Sequence, residues 1–525
     1  MRGKRWGVLL TVIALCGACP AVQAASGGDS LHMPVSSFAS YTYNYWGDPV
    51  ECPAPYAVTR TVTGVDMGAG ELKKPNDMAV GPDGSIYLAV SGDAAGDNRI
   101  IQMDGQLNLL KEWTGCLDAD GQTVPFQEPL GVFVDTNGDI YVADGASQNI
   151  YHMDGDCRLK RTILPPDPEE NAFIDEAFVE RYRPSKLAVD SSGRIHVVAI
   201  NVNEGIVEFD PDGKFEGFLA AGKVNASALE ILWKKLSSQE QLDRMADFVP
   251  IEYNNIALDQ ENFIFASAAA IDESVVLSEI RSGNGTEQGA LVRRLNMLGN
   301  DILRRNGFGP PVGDYPVEET IDNIDAAYQG ISRVVDMACG DNGCYSLLDN
   351  NRNRIFTYNA EGYLLYAFSG PDETAGGFRT PCSIVQYGSY LYVLDSSLRS
   401  VTQFTRTEFG DAIADAIQYQ DDGQYDAART AWEKVLAMDA NYDLAYSGVG
   451  KTLYQYGEYE QAMRMFKLGN DRTWYSRAFK EYSKELVSRW FAPATVILAV
   501  VLVAVRLLVA VIHRRRKIRK PAGGE

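Results

Sequence analysis

The sequence predicts a mainly β protein: a six-bladed β-propeller, then an α-helical hairpin array, then one transmembrane helix. Three observations carry this prediction. A strand–turn–strand pattern returns six times between residues 75 and 395. After residue 408 the apolar period becomes helical, with a 34-residue repeat. Residues 490–512 form an apolar run carrying a single charge.

The N-terminus comes first. Arg2, Lys4 and Arg5 precede an apolar stretch over 6–19, and Val22-Gln23-Ala24 offers small residues for cleavage. Residues 1–24 therefore read as a secretory signal peptide. Acylation at Cys19 is the alternative, but Cys16-Gly17-Ala18 lacks the leucine usual three positions upstream.

At the other end, WFAPATVILAVVLVAVRLLVAVI (490–512) is long enough to cross a hydrocarbon core of about 30 Å. His513 is followed by RRRKIRK, which places the tail 513–525 in the cytoplasm and residues 25–489 outside. Arg506 lies within two turns of that basic end and can snorkel to it. The expected localisation is a single-pass cell-membrane protein, and the form of its signal suits a bacterium.

Composition narrows the function classes. The 525 residues hold 70 Asp+Glu against 48 Lys+Arg, a net charge of −22, with 46% hydrophobic positions. That apolar fraction supports a packed core. The acidic balance argues against nucleic acid as a partner, and ten of the basic residues lie in the signal, span and tail, so the exported part is more acidic still. Acidity of this kind serves solubility. Four histidines leave little for a histidine-based site.

Cysteine usage agrees with export. Six cysteines follow the signal: Cys52, Cys116, Cys157, Cys339, Cys344 and Cys382. An even number in an oxidising compartment suggests disulfides, with fifteen possible pairings. The pair expected is Cys339 with Cys344, because CGDNGC reads as a tight hairpin turn. No CxxC or Cys/His spacing suggests zinc.

Within 25–408 the repeats build the propeller. PNDMAVGPDGSIYLAV from Pro75 is echoed by PLGVFVDTNGDIYVAD from Pro129, PSKLAVDSSGRIHVVA from Pro184 and NNIALDQENFIFASA from Asn254. SRVVDMACGDNGCYSLLD from Ser332 and PCSIVQYGSYLYVLD from Pro381 complete the set. Each gives two strands around an Asp/Asn/Gly turn. Segments such as RIIQMDGQLNLL and RIFTYNAEGYLLYAF add two more. Six four-stranded units close radially without open edges. The last copy supplies three strands, and PYAVTRTVTG (55–64) is expected to provide its outer one.

These copies resemble NHL repeats over about 350 residues. DTNGDIYVADGASQNI (135–150), SGDAAGDNRI (91–100) and LDNNRNRIF (348–356) carry the likeness. Two insertions interrupt the rhythm: a helical one over 224–248, and a Gly/Pro-rich then acidic stretch over 299–330, read as an inter-blade loop or a lid.

In 409–489 the period is helical. Gly423, Tyr425, Ala428 and Trp432 return 34 positions on as Gly457, Tyr459, Ala462 and Phe466. This resembles tetratricopeptide repeats, and the resemblance implies docking of a partner protein. The aromatic members are expected in the helix core, and a third helix over 473–488 is expected to cap the array.

For chemistry, PNDMAVGPDG (75–84) resembles a ligand-bearing segment of gluconolactonase-like hydrolases. That resemblance implies a divalent metal such as calcium, with Asn76 and Asp77 at the matching positions and Asn255 as companion. Peptidylglycine-lyase-type propellers bind metal through histidines, and His32, His152 and His196 have no matching blade positions. LDADGQTVPFQE (117–128) is similar to a calcium loop but lacks its spacing. There is no Gly-x-Ser-x-Gly elbow, P-loop or dinucleotide fingerprint.

The reading that needs least is binding. Blade connections are expected to bring Asn76, Asp77, Asp144, Lys186, Asn255, Arg333, Asp349 and Asp395 to one mouth, where short polar groups suit a glycan or peptide. Such aspartates also cap turns. The expected function is a membrane-anchored binding and scaffolding protein without a cofactor, whose helical array docks a partner from a transport or envelope complex. The alternative is the metal-dependent hydrolase.

Overall fold

The computed structural model describes residues 39–171, 174–220, 252–268, 271, 274–276, 289–307, 313–314, 331–371 and 376–518. The signal peptide, the insertion 224–248 and most of 299–330 lie outside the described residues.

The repeated turns explain why the strands form where they do. An Asp or Asn opening many of these turns accepts amides two and four residues on: Asp135 Oδ1 takes Asn137 N at 2.8 Å and Asp139 N at 2.9 Å. Asp104, Asp154, Asp210, Asp259, Asn296 and Asn359 repeat the pattern. The side chain so fixes the reversal, and apolar alternation sets the strand faces. LDADGQ is one more such turn, joining Gly115–Leu117 to Thr123–Pro125 with Asp118 as its cap.

Six antiparallel sheets result. Their innermost strands are Lys74–Val80, Pro129–Val134, Arg183–Val189, Tyr253–Leu258, Val334–Cys339 and Pro381–Tyr387. Each contacts the next and the last contacts the first, so the ring is closed. Blades one, two and three have four strands, and blade four has three among the described residues. Tyr56–Thr63 supplies the outer strand of blade six, pairing Thr63 with Ser400 and Tyr56 with Arg406, the closure expected from sequence. Blade five gains a hairpin, Ser40–Tyr43 and Pro49–Glu51, on its outer strand. Tyr41 of this hairpin is buried, and its hydroxyl donates to Asp314.

One short helix, α1 (Glu176–Arg181), precedes blade three. After the propeller come α2 (Glu408–Asp421), α3 (Tyr425–Met438), α4 (Asp443–Gln455) and α5 (Tyr459–Leu468). Gly423 and Gly457 end α2 and α4 with φ of 72° and 76°, a left-handed turn that favours glycine. Gly448 lies where a Cβ would fall 2.3 Å from Trp432 Nε1, so α3 and α4 need a glycine to approach. Ala428, Trp432, Ala462 and Phe466 are buried, as expected of the helix core, whereas Tyr425 and Tyr459, which open α3 and α5, are only half-buried.

The final helix differs from expectation. α6 runs unbroken over Arg472–Ile518 and contains Pro493. The capping helix and the apolar span are one rod, because no glycine or turn cluster separates them. It is long and apolar enough to cross a membrane, and none of its apolar window is buried.

The hairpins pack on the blade face opposite the mouth. Asn342 Nδ2 donates to Gln418 Oε1 at 2.6 Å, Lys451 pairs with Glu361 at 2.9 Å, and one apolar cluster runs from Leu348, Leu365 and Phe368 through Phe409, Ile413, Trp432 and Tyr442. Propeller and hairpins share a core.

The expected Cys339–Cys344 disulfide is not formed: all six cysteines among the described residues are free thiols, and this pair faces apart. Cys339 stands opposite Tyr345 in the ladder. Cys344, one residue earlier, points to the other sheet face. Cys339 packs with Met337 and Tyr358, whereas Cys344 packs with Tyr366 and Ile413.

Candidate functional site

Every innermost strand carries a β-bulge at the same point. The register shifts fall at Pro75/Asp77, Pro129/Gly131, Pro184/Lys186, Tyr253/Asn255, Val334/Asp336 and Pro381/Ser383. A bulge bends the strand and re-aims its next side chain. Six equivalent positions, Asp77, Gly131, Lys186, Asn255, Asp336 and Ser383, therefore ring the axis. Gly131 is required here, because a Cβ would lie 2.3 Å from Ser185 O.

The ring is a network across blades. Asp77 forms an ion pair with Lys186, accepts Ser383 Oγ at 3.1 Å and accepts Val132 N at 3.0 Å. Asp336 accepts Asn255 Nδ2 at 2.5 Å and Ile384 N at 2.7 Å. Burial opposes the charge on Lys186, yet Asp77 and Asp336 outweigh it and hold its ammonium above the usual lysine range. Burial pushes the Asp336 carboxyl up to about 6, with Lys186 pulling it down and Asp77 raising it. Asp77, Lys186, Asn255 and Asp336 line an axial channel of about 180 Å³. At its mouth, Asn76, Ser185, Lys186, Glu252 and Asn254 line a depression of about 250 Å³.

The other candidates from sequence lie off the axis. Asp144 accepts Gln127 N, Glu128 N and Ser147 N at 2.6–3.0 Å. Asp349 accepts Arg333 N and Asn351 N, and Asp395 accepts Arg379 N, Thr380 N and Leu398 N. Each of these fully buried aspartates ties the connection entering its blade to the end of the second strand. The side chain of Arg333 is exposed. Asp336 and Ser383 escaped the sequence reading, although aligning the copies on the proline or its equivalent puts both in register with Asp77.

The donor set does not fit a divalent cation. Asn76 Nδ2 donates to Ser91 Oγ at 2.8 Å and Pro129 O at 2.9 Å, while Asn255 Oδ1 accepts Ile256 N at 2.5 Å. The cationic place between Asp77 and Asp336 is taken by the Lys186 ammonium. His152 pairs with Asp139, and His196 lies between Asp190 and Glu208, each inside its own blade. Among the described residues no group of three His, Cys, Asp or Glu could hold a metal. Excess chelator is expected to leave the Tm of the full-length protein unchanged within about 1 °C. A fall of several degrees, reversed by calcium, would restore the metal reading.

A larger cavity than the axial channel lies elsewhere. A cleft of about 560 Å³ separates blade five from the inner side of the helical hairpins, lined by Tyr45, Arg304, Glu361, Tyr363, Asp421, Leu444, Ser447, Lys451 and Arg472 among others. Lys451 spans it to Glu361, and Arg472 stands over the Tyr45 ring at 5.0 Å. Burial, then Glu361 and Asp422, raise the Asp421 carboxyl above its usual range, with Lys451 opposing.

No protein-family model and no curated protein matches the sequence. Among solved structures, virginiamycin B lyase from Staphylococcus aureus is similar at 11% identity, covering 67% of this chain and 100% of that one, with a TM-score of 0.37. A protein of unknown function from Bacteroides thetaiotaomicron is similar at 10% identity over 67% of this chain and 72% of that one, TM-score 0.38. The extracellular domain of a putative one-component system from B. thetaiotaomicron is similar at 10% identity over 63% and 33%, TM-score 0.30.

Proposed function

We propose that this chain is a membrane-anchored recognition protein that holds an extended peptide segment of a partner in the cleft between blade five and the helical hairpins. The observation that carries the reading is that cleft, of about 560 Å³ and walled by both parts of one shared core. Ligand sites favour such junctions. Charges of both signs, Arg304, Lys451 and Arg472 against Glu361 and Asp421, suit a polypeptide better than a neutral glycan. α6 anchors the assembly, its basic C-terminal end lies inside, and the propeller mouth is left free for an extracellular ligand. The hairpins act in the manner of tetratricopeptide repeats, and the blades in that of NHL repeats.

The test is photo-crosslinking of the full-length protein in its native membrane. A crosslinking residue at Leu444, in the cleft, is expected to yield one discrete protein adduct that the same residue at Glu216, on the outer strand of blade three, does not. Equal labelling from both positions, or none from Leu444, rejects the reading.

A further inference from the structure

We infer that Cys116 and Cys157, which stand as free thiols in the structure, are joined in the exported protein by a disulfide that staples the connection between blades one and two to the outer turn of blade two. Leu117 and Arg158 form a parallel bridge, and Leu117 N donates to Cys157 O at 2.9 Å. The residues immediately before them, Cys116 and Cys157, therefore stand side by side. Both are fully buried, and both belong to the same apolar cluster, with Phe126, Tyr151 and Met153. The other four cysteines are distributed over other clusters.

The backbone adds an independent point. Cys157 occupies the left-handed position of its turn, φ 57°, where the matching turns of blades three, four and five carry Gly213, Gly299 and Gly362. A side chain is strained there. Blade one places Leu107 at this position, buried in the core, so the position can aim a side chain inward. In blade two that inward side chain is a thiol in the same apolar cluster as Cys116, whose Sγ donates weakly to Val124 O at 3.8 Å. Lys111, on the outer strand of blade one just before the connection, pairs with Asp156 of the Cys157 turn at 2.8 Å.

The bond forms by exchange with the disulfide of an exported thiol oxidoreductase. The thiolate of one cysteine attacks that disulfide and releases one oxidoreductase thiol. The second cysteine's thiolate then attacks the mixed disulfide, closing the Cys116–Cys157 bond and releasing the other thiol. Two electrons pass to the oxidoreductase, and the two cysteine protons end on its thiols. Burial raises the Cys116 thiol to about 11 and raises Cys157 further, with Cys116 adding to that shift. Folded, the pair is inert, so oxidation belongs to the exported, still unfolded chain. The proposal rests on export but not on the cleft.

The experiment uses full-length protein, exported and extracted in detergent, denatured with a thiol-blocking reagent without reductant and then digested. The expected result is one linked pair of peptides carrying Cys116 and Cys157, with Cys339 and Cys344 blocked. Blocking of both Cys116 and Cys157 overturns the proposal. Cys157→Gly, which relieves the strained backbone, provides a second measurement. It is expected to lower Tm by roughly 5 °C or more and to abolish any further effect of reductant. An unchanged or raised Tm in that variant shows a packing contact only and overturns the proposal as well.

Discussion

Lys186→Met is expected to lower the unfolding free energy by about 3–5 kcal/mol, because it leaves two buried carboxylates facing each other without their cation. The side chains of Lys186 and Asp77 are only 13% and 8% exposed. Methionine keeps the bulk, so the loss reports charge and not a cavity. Asp336 sharpens the test through pH. Its carboxyl is raised in the fold to about 6 by burial. A raised acid binds its proton more tightly folded than unfolded, so its contribution to stability is greatest below about pH 4 and declines as pH rises through 6. Removing the ammonium extends that decline to higher pH. Urea unfolding at pH 5 and pH 8 measures both effects, and the variant is expected to lose more at pH 8. Adding Asp77→Asn is expected to recover much of the loss. A cost under about 1 kcal/mol at pH 8 would show that the ring does not depend on its ion pair.

The second large effect concerns the joint between propeller and hairpins. Tyr442→Ala is expected to cost about 3–5 kcal/mol. Tyr442 is fully buried, meets Phe409 edge-on at 5.6 Å, and donates its hydroxyl to Leu365 O in the outer strand of blade five at 2.8 Å. Tyr442→Phe keeps the packing and removes the donor, leaving a buried carbonyl without that partner at a cost of about 1–3 kcal/mol. Urea unfolding orders the two variants, and limited proteolysis near Thr407 reports release of the hairpins. Wild-type unfolding of Tyr442→Ala would mean that the two parts do not share a core. Loss of cleft crosslinking in the same variant would connect the joint with recognition.

The cysteines show where sequence reading reaches its limit. CGDNGC has the spacing of a hairpin turn, but spacing does not say which residues face each other. The ladder pairs Cys339 with Tyr345, and one residue of offset sends the two thiols to opposite faces. Cys116 and Cys157 are 41 positions apart with no shared motif, and only the parallel bridge beside them makes them neighbours. The aspartates divide in a similar way. Asp144, Asp349 and Asp395 share the strand-end position of Asp in their copies, yet each accepts amides of its own blade. Asp77 and Asp336 stand on bulges and face the axis.

The sequence by itself determined the local and periodic features of this protein. Asx-type turns, strand alternation, the 34-residue helical period and the long apolar run each arise from interactions within a few residues, so they are written in short words that repeat. Even ring closure by Tyr56–Thr63 was legible, since a missing strand in one copy and a spare strand elsewhere must match. Only the tertiary structure decided the axial ring, the shared core and the cleft. Those depend on which bulge points inward and which helix face meets blade five, and such choices are made by packing between segments far apart in the chain.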